Sequence, residues 1–190
     1  MAALRRQIQI IADRQRAVVT AAHERLDKLS DAQLKWTPDP KTWSPIFIVD
    51  HLIRAHVATS PVFMKALLPA PPAGDEVDKE LPYSFSDRMI VGAMSPGARF
   101  KLPVPKIFEP VEHRGPCSSV LKHLYDEFEA FAVILEYANE KKLNGIRVRS
   151  PANGSIHPSI MAYLDATVQH NRYHWLQIET LLRNPQFPKE

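Results

Sequence analysis

Apolar residues recur at spacings of three and four along four long stretches of the chain. This period is typical of helices that bury one face and expose the other. The four stretches are residues 2–29, a stretch from Ser44 to about Leu68, one from Ser118 or Ser119 to about Lys142, and one from about Pro158 to Arg183. The pattern therefore predicts an all-α protein built from four long helices.

Local signals place the ends of several helices. Ser30–Gln33 reads as a capping box for a short helical turn, because a serine is followed three residues later by a glutamine. Ser44-Pro45 marks the start of the second long helix, with serine as the N-cap and proline in the first turn. Ser60-Pro61 either kinks this helix or caps a new short one. Asn144-Gly145 marks the end of the third helix.

Residues 69–116 interrupt the helical pattern and contain nine of the 17 prolines. A connection this long is uncommon in a compact domain, and it often covers a site or mediates contacts. We expect a short helix at residues 84–93, capped by Ser84 or Ser86, and an extended segment from Arg99 to Pro110. The pattern leaves open whether the stretch is a structural wrap or a lid.

Two histidines lie four residues apart in the last predicted helix and therefore project from the same face. The inward stripe of that helix is Ile160, Tyr163, Thr167, His170, His174, Ile178 and Leu181. Two neighbouring imidazoles in a core are costly unless they are hydrogen-bonded or bound to something. The spacing alone is a weak signal, but the position on a buried stripe favours a metal site.

A third histidine, His51, falls on the apolar face of the second long helix, near the small residues Ala55 and Ala58. His56 lies about 140° away around the same helix and is expected at the surface. If the second and last long helices are neighbours, His51, His170 and His174 converge. Three imidazoles with further positions open to water describe a catalytic type of metal site, and Zn, Ni, Fe and Mn all remain open.

Composition narrows the functional classes. The formal net charge is +3 and the basic residues are interleaved with acidic ones, which argues against nucleic acid as a partner. The single cysteine, Cys117, cannot form an internal disulfide, so we expect a reducing cytoplasm. The charged N-terminal residues do not form a signal peptide, and no apolar run approaches the roughly 18 residues needed to span a membrane.

Two parts of the chain resemble the DinB/YfiT-like family. The first comprises Ser30–Leu34, Pro38, Trp43-Ser44-Pro45, Ile48 and His51-Leu52. The second is His170–Ile178, with a histidine, then Arg-His two residues apart, then Gln-Ile. The resemblance implies a single domain over residues 1–190, folded as a four-helix bundle. Its helices would run up, down, down and up, with residues 69–116 as the long second connection.

The resemblance also implies chemistry. The family's metal ligands correspond to His51, His170 and His174, which is the all-histidine version of its site. Characterised relatives include thiol S-transferases, a thiol-dependent isomerase and hydrolase-like proteins, so a divalent metal and a low-molecular-weight thiol are the implied cofactors. The substrate would be a small electrophile, attacked by a metal-activated thiol or water. Tyr163 and Thr167 could contact a ligand, and Arg172 could support the site or bind a carboxylate.

Two other interpretations remain at this point. The chain could be a metal-binding or stress-associated bundle without catalytic turnover, or its histidines could only hydrogen-bond. A homodimer is also expected from the resemblance. Four apolar residues project outward from the predicted inward stripe of the last helix and could pack in the core or against a partner subunit; they are Leu164, Val168, Trp175 and Leu182.

Overall fold

The computed structural model describes residues 5–74, 80–98 and 103–189, which form six α-helices and a 3₁₀ turn at Lys106–Phe108. The helices are α1 (Arg6–Leu26), α2 (Asp31–Lys35), α3 (Pro45–Leu67), α4 (Phe85–Met94), α5 (Cys117–Asn139) and α6 (Ile160–Leu182). The four long helices α1, α3, α5 and α6 are those that the apolar period predicts, so the all-α fold class is confirmed.

The four long helices form a bundle in which α1 and α3 each pack against both α5 and α6. The Tyr125 hydroxyl on α5 donates to Asp27, just after α1, while the Arg5 amide before α1 donates to Asn139 at the end of α5. Helices α1 and α5 therefore run antiparallel.

Contacts of α3 give the remaining directions. His51 lies beside His174, and Phe63 lies beside Tyr163, so α3 and α6 are antiparallel. The first halves of α3 and α5 share one cluster of core residues, which makes these two helices parallel. The long helices consequently run up, down, down and up in chain order.

The core fills both ends of the bundle. One apolar cluster joins the first halves of α1 and α6 to the second halves of α3 and α5, and its largest fully buried members include Ile8, Phe63, Leu67, Phe131 and Leu164. The other cluster joins the second half of α1 to the first halves of α3 and α5 and includes Val49, Leu124 and Trp175. Leu164, Val168 and Trp175 thus belong to the core, and Leu182 packs against it.

Several predicted helix starts are confirmed because they depend on local capping. Ser30 and Gln33 form the capping box of α2, and the Ser44 hydroxyl accepts from the Phe47 amide at the start of α3. Ser84, not Ser86, caps α4. The predicted cap of α5 at Ser118 or Ser119 is wrong by two to three residues: the N-cap is Pro116, the helix begins at Cys117, and no side chain caps it.

Other predicted boundaries need correction. Helix α5 ends at Asn139 rather than near Lys142, because the chain turns there to pair Lys141 with Pro72. Gly145, at a φ of +79°, lies in the following loop rather than at the helix end. Helix α3 continues through Pro61 to Leu67, so Ser60-Pro61 does not cap a separate helix.

Helix α3 is long and apolar enough to cross a membrane by length and composition alone, contrary to the sequence expectation. It is the only such helix among the described residues, and 56% of its apolar window is buried inside the protein. It packs against α5 and α6 and carries the buried polar residues Asp50, His51 and His56. Helix α3 is therefore a core helix of the bundle.

The long connection between α3 and α5 is anchored at several points. Helix α4 packs along α6, and the buried Asp87 carboxylate accepts from the Ser84 amide at the start of α4 and from the Ser159 amide at the start of α6. The predicted extended segment from Arg99 to Pro110 falls partly on residues 99–102, which lie outside the described residues. Its described part includes the 3₁₀ turn and packs on α3.

Candidate metal centre

The structure brings His51, His170 and His174 together between α3 and α6. The Nε2 atom of His170 lies 3.1 Å from Nε2 of His51 and 3.0 Å from Nε2 of His174. One ligand atom of each ring falls within 4.8 Å of the others. The antiparallel packing of α3 on α6 produces this convergence, because it sets the second turn of α3 against the fourth and fifth turns of α6.

Hydrogen bonds fix two of these rings with their Nε2 lone pairs directed inward. Nδ1 of His51 donates to the carbonyl oxygen of Phe108 at 2.7 Å. Nδ1 of His174 donates to Oε1 of Gln177 at 2.8 Å. A neutral imidazole carries one proton, so both Nε2 atoms are left as acceptors. This orientation is the one that metal-binding histidines adopt.

The three Nε2 atoms hold too few protons to satisfy each other. At most, Nε2 of His170 carries a proton, and it can donate that proton to only one of its two neighbours. A buried polar atom without a partner costs on the order of 1–3 kcal/mol. Nitrogen ligands at about 2.0–2.1 Å from one ion lie about 2.8–3.4 Å apart, depending on whether the angle at the ion is near 90° or tetrahedral. The donor set and its spacing therefore fit a single divalent ion.

Burial keeps the triad neutral. It lowers the pKa of His51, and it lowers the pKa of His174 to about 3, with the nearby His51 adding to the effect. Burial also lowers the pKa of His170 well below its usual value, and the nearby His174 and His51 lower it further. Neutral imidazole is the form that binds metals, so the lone pairs are available throughout the neutral pH range.

Aromatic side chains flank the triad. The Trp43 ring centroid lies 5.2 Å from that of His51 and 6.5 Å from that of His174, and Phe108 packs edge-on to His51. His51 and His174 are buried, with exposures of 3% and 6%. Two cavities in other parts of the described structure, of about 690 and 350 Å³, have no triad residue in their walls. His51 and His174 are thus shielded by the surrounding side chains, whereas His170 is only partly buried.

The other predicted ligand contacts are engaged with protein groups. The Tyr163 hydroxyl lies 3.3 Å from the Ser150 hydroxyl, and the Thr167 hydroxyl donates to the Tyr163 carbonyl within α6. Arg172 donates to Oε1 of Gln169. Among the described residues, none of these three polar groups hydrogen-bonds to a triad imidazole.

Sequence reasoning missed an acidic anchor next to the triad. Asp50 is 3% exposed and accepts from Nε of Arg54, from the Val111 amide and from Nε2 of His113. Burial alone would raise the pKa of Asp50, but these donors lower it below its usual value. Asp50 thereby holds the long connection between α3 and α5 against α3. The held segment lies next to Phe108, whose carbonyl orients His51. A lone acid inside an apolar helical run was the available signal.

The prediction that His56 lies at the surface is wrong. His56 is fully buried, with its ring edge-on to Phe128 and Phe131, and its Nε2 donates to Oδ1 of Asn171 at 3.1 Å. Asn171 in turn donates to Gln15 on α1. Helix α3 packs against α5 as well as α6, so two of its faces are covered. Amphipathic projection of one helix cannot reveal this second contact.

The fold and the site together define a helical bundle with a histidine cluster that could hold a metal ion. The chain belongs to the DinB superfamily, whose family model matches residues 13–178. This match covers most of the chain, including all three triad histidines, and it confirms the resemblance seen in the sequence. No functionally curated protein and no solved structure matches the chain.

Proposed function

We propose that the protein is a metal-dependent enzyme of the transferase or hydrolase type, acting on small electrophilic substrates. The observation that carries the proposal is the convergence of three neutral Nε2 atoms, two of them fixed as acceptors by Phe108 and Gln177. His51, His170 and His174 would hold one divalent ion. Bound there, such an ion would lower the pKa of a thiol or water and supply a nucleophile at neutral pH.

The residues around the triad suit this role. Trp43 and Phe108 would exclude water and offer an apolar wall to an electrophilic substrate. The Phe108 carbonyl would hold His51 in the ligating tautomer. The thiol cofactor, the small-molecule substrate, a cytoplasmic location and a homodimer belong to the same proposal and rest on the sequence alone.

A second candidate is a metal-binding bundle without turnover. The near-complete burial of His51 and His174 favours it, because a catalytic ion needs room for a substrate. The two candidates share the metal and differ only in the accessibility of the triad.

Metal content tests what both candidates share. Protein purified without a metal-binding tag should contain about one divalent ion per chain by elemental analysis, and His170→Ala should contain almost none. His123→Ala is the matched control, since His123 is an exposed histidine on α5 that pairs with Glu127. Equal metal in wild type and His170→Ala, including none in either, would contradict the proposed site.

Turnover separates the two candidates. The metal-loaded protein should consume a chromogenic aryl halide with a low-molecular-weight thiol, or an activated ester with water. His170→Ala should abolish this activity, whereas His123→Ala should retain it. A protein that binds metal but turns over none of these substrates would favour the non-catalytic bundle.

A further inference from the structure

A groove of about 690 Å³ lies at the other end of α3 from the triad. One wall is the last turns of α3, at Val62, Lys65 and Ala66, and the other is the loop between α5 and α6. Lys65 is 14 residues beyond His51, or about 21 Å along the helix axis. The groove is therefore separate from the candidate metal centre.

Three cationic side chains line this groove: Lys65, Arg147 and Arg149. All three residues are exposed. The described lining residues include no carboxylate. Asp87 comes within 4.0 Å of Arg147, but Asp87 is 2% exposed and already accepts from the Ser84 and Ser159 amides. The groove consequently carries an excess of positive charge.

The guanidinium of Arg149 is held in a defined position. Its Nε donates to the Gly154 carbonyl at 3.0 Å. A Cβ atom added at Gly154 would come within 2.5 Å of Nη2 of Arg149, so the side chain packs where only glycine leaves space. With Nε occupied, the Nη donors of Arg149 have no other hydrogen bond among the described contacts. A pre-positioned guanidinium loses less entropy when it binds an oxyanion.

The rest of the lining suits a small organic molecule. Val62, Ala66 and Pro151 offer apolar contact beside the cations. Ser150 is 6% exposed and places a buried hydroxyl, which lies 3.3 Å from the Tyr163 hydroxyl, in the groove wall. Three cations on a short groove are too few to follow a nucleic-acid backbone, whose binding scales with the number of phosphates contacted.

We propose that this groove binds a small molecule through a multivalent oxyanion group, phosphate or carboxylate, held by Lys65, Arg147 and Arg149. The oxyanion would accept from the guanidinium groups, which match phosphate and carboxylate oxygens in geometry. The apolar part of the ligand would pack on Val62 and Pro151. The proposal does not depend on metal binding at the triad.

Nuclear magnetic resonance tests the site through the Arg149 Nε–H signal. Titration with inorganic phosphate, and separately with succinate, should shift this signal in a saturable way beyond sodium chloride at equal ionic strength. Whichever probe binds more tightly identifies the oxyanion class. Arg149→Gln should weaken binding about tenfold when followed on neighbouring amide signals, since a hydrogen bond to a charged group is lost.

Two further variants sharpen the test. Gly154→Ala keeps every charge but displaces the Arg149 guanidinium, so it should weaken binding as well. Lys122→Gln removes an exposed cation on α5 that pairs with Asp126, away from the groove, and should bind as wild type does. Failure of both probes to shift the signal beyond chloride, or unchanged affinity in Arg149→Gln, would overturn the proposal. Unchanged affinity in Gly154→Ala would also overturn it, because the placement of Arg149 would then not matter.

Discussion

At the residue scale, the protein buries histidines in two different ways. The triad rings face one another with unsatisfied lone pairs. The His56 ring instead packs on Phe128 and Phe131 and donates to Asn171 through Nε2, while its Nδ1 has no hydrogen-bond partner among the described residues. Burial lowers the pKa of His56 to about 4 from an ordinary value of 6.5. The same residue type thus serves as a candidate ligand at one position and as a core residue five positions later.

His56 should make stability depend on pH. Between pH 6.5 and about 4 the unfolded chain binds a proton at His56 and the native chain does not, so the free energy of unfolding falls as pH falls. From pH 7.5 to pH 5 this loss is about 2 kcal/mol. His56→Gln retains a donor for Asn171 without a titrating ring. In urea unfolding, the free energy of unfolding of this variant should therefore fall by about 2 kcal/mol less than that of wild type between pH 7.5 and pH 5.

The comparison between wild type and His56→Gln is needed because the triad histidines also have lowered pKa values and titrate in the same direction. Their contribution is common to both proteins and cancels in the difference. His157→Gln, at an exposed position in the loop before α6, serves as the control and should follow the wild-type pH profile. A profile for His56→Gln identical to that of wild type would show that His56 is protonated normally in the folded protein.

At the element scale, the long connection is held on α3 by a few buried contacts. Asp50 binds the Val111 amide and His113, and the adjacent His51 binds the Phe108 carbonyl. These contacts fix residues 105–113 over the first half of α3. The interpretation as a structural wrap is supported for this part of the connection.

Asp50→Ala should destabilise the protein by about 2 kcal/mol in urea unfolding, because Arg54, Val111 and His113 lose a shared buried acceptor. It should also weaken metal binding by up to about tenfold, since the segment that orients His51 is released. Asp126→Ala, which removes an exposed pair with Lys122, should change stability by less than about 0.5 kcal/mol. Unchanged metal affinity in Asp50→Ala would show that Phe108 is positioned without Asp50.

Elements set by local interactions were predictable from the sequence. Ser30, Ser44 and Ser84 each accept from an amide within the next few residues, so their helix starts follow from short spacings alone. The end of α5 depends instead on Arg5 and on the pairing of Lys141 with Pro72, which are distant in sequence. For the same reason the roles of Asp50 and His56 required the three-dimensional structure.

At the scale of the whole molecule, the triad joins two helices that are distant in the chain. His51 on α3 and His170 on α6 are 119 residues apart, and the apolar stripes alone showed that each faced a core. The pattern did not establish that the histidines on the two stripes lie at the same level along the axis of the bundle. That meeting follows from the antiparallel packing of α3 on α6, which Phe63 and Tyr163 fix at the other end of the bundle.

A divalent ion bound to the triad should therefore stabilise the entire bundle. An ion that binds only the folded state adds about 2.7 kcal/mol at a free concentration of 100 times its Kd. For a chain of this length that corresponds to a rise in Tm of roughly 5–11 °C. Adding Zn²⁺ or Ni²⁺ to metal-stripped protein and following thermal unfolding by circular dichroism measures the rise, and a chelator should reverse it.

The variant His174→Ala distinguishes this coupling from weak metal binding elsewhere on the surface. It removes one ligand from α6 and leaves His51 and His170, so the rise in Tm should fall to a small fraction of the wild-type value. His23 is an exposed histidine on α1 that pairs with Asp27, and His23→Ala should keep the full rise in Tm. If His174→Ala responds to metal as strongly as wild type does, the ion does not join α3 to α6, and the three imidazoles hold together without it.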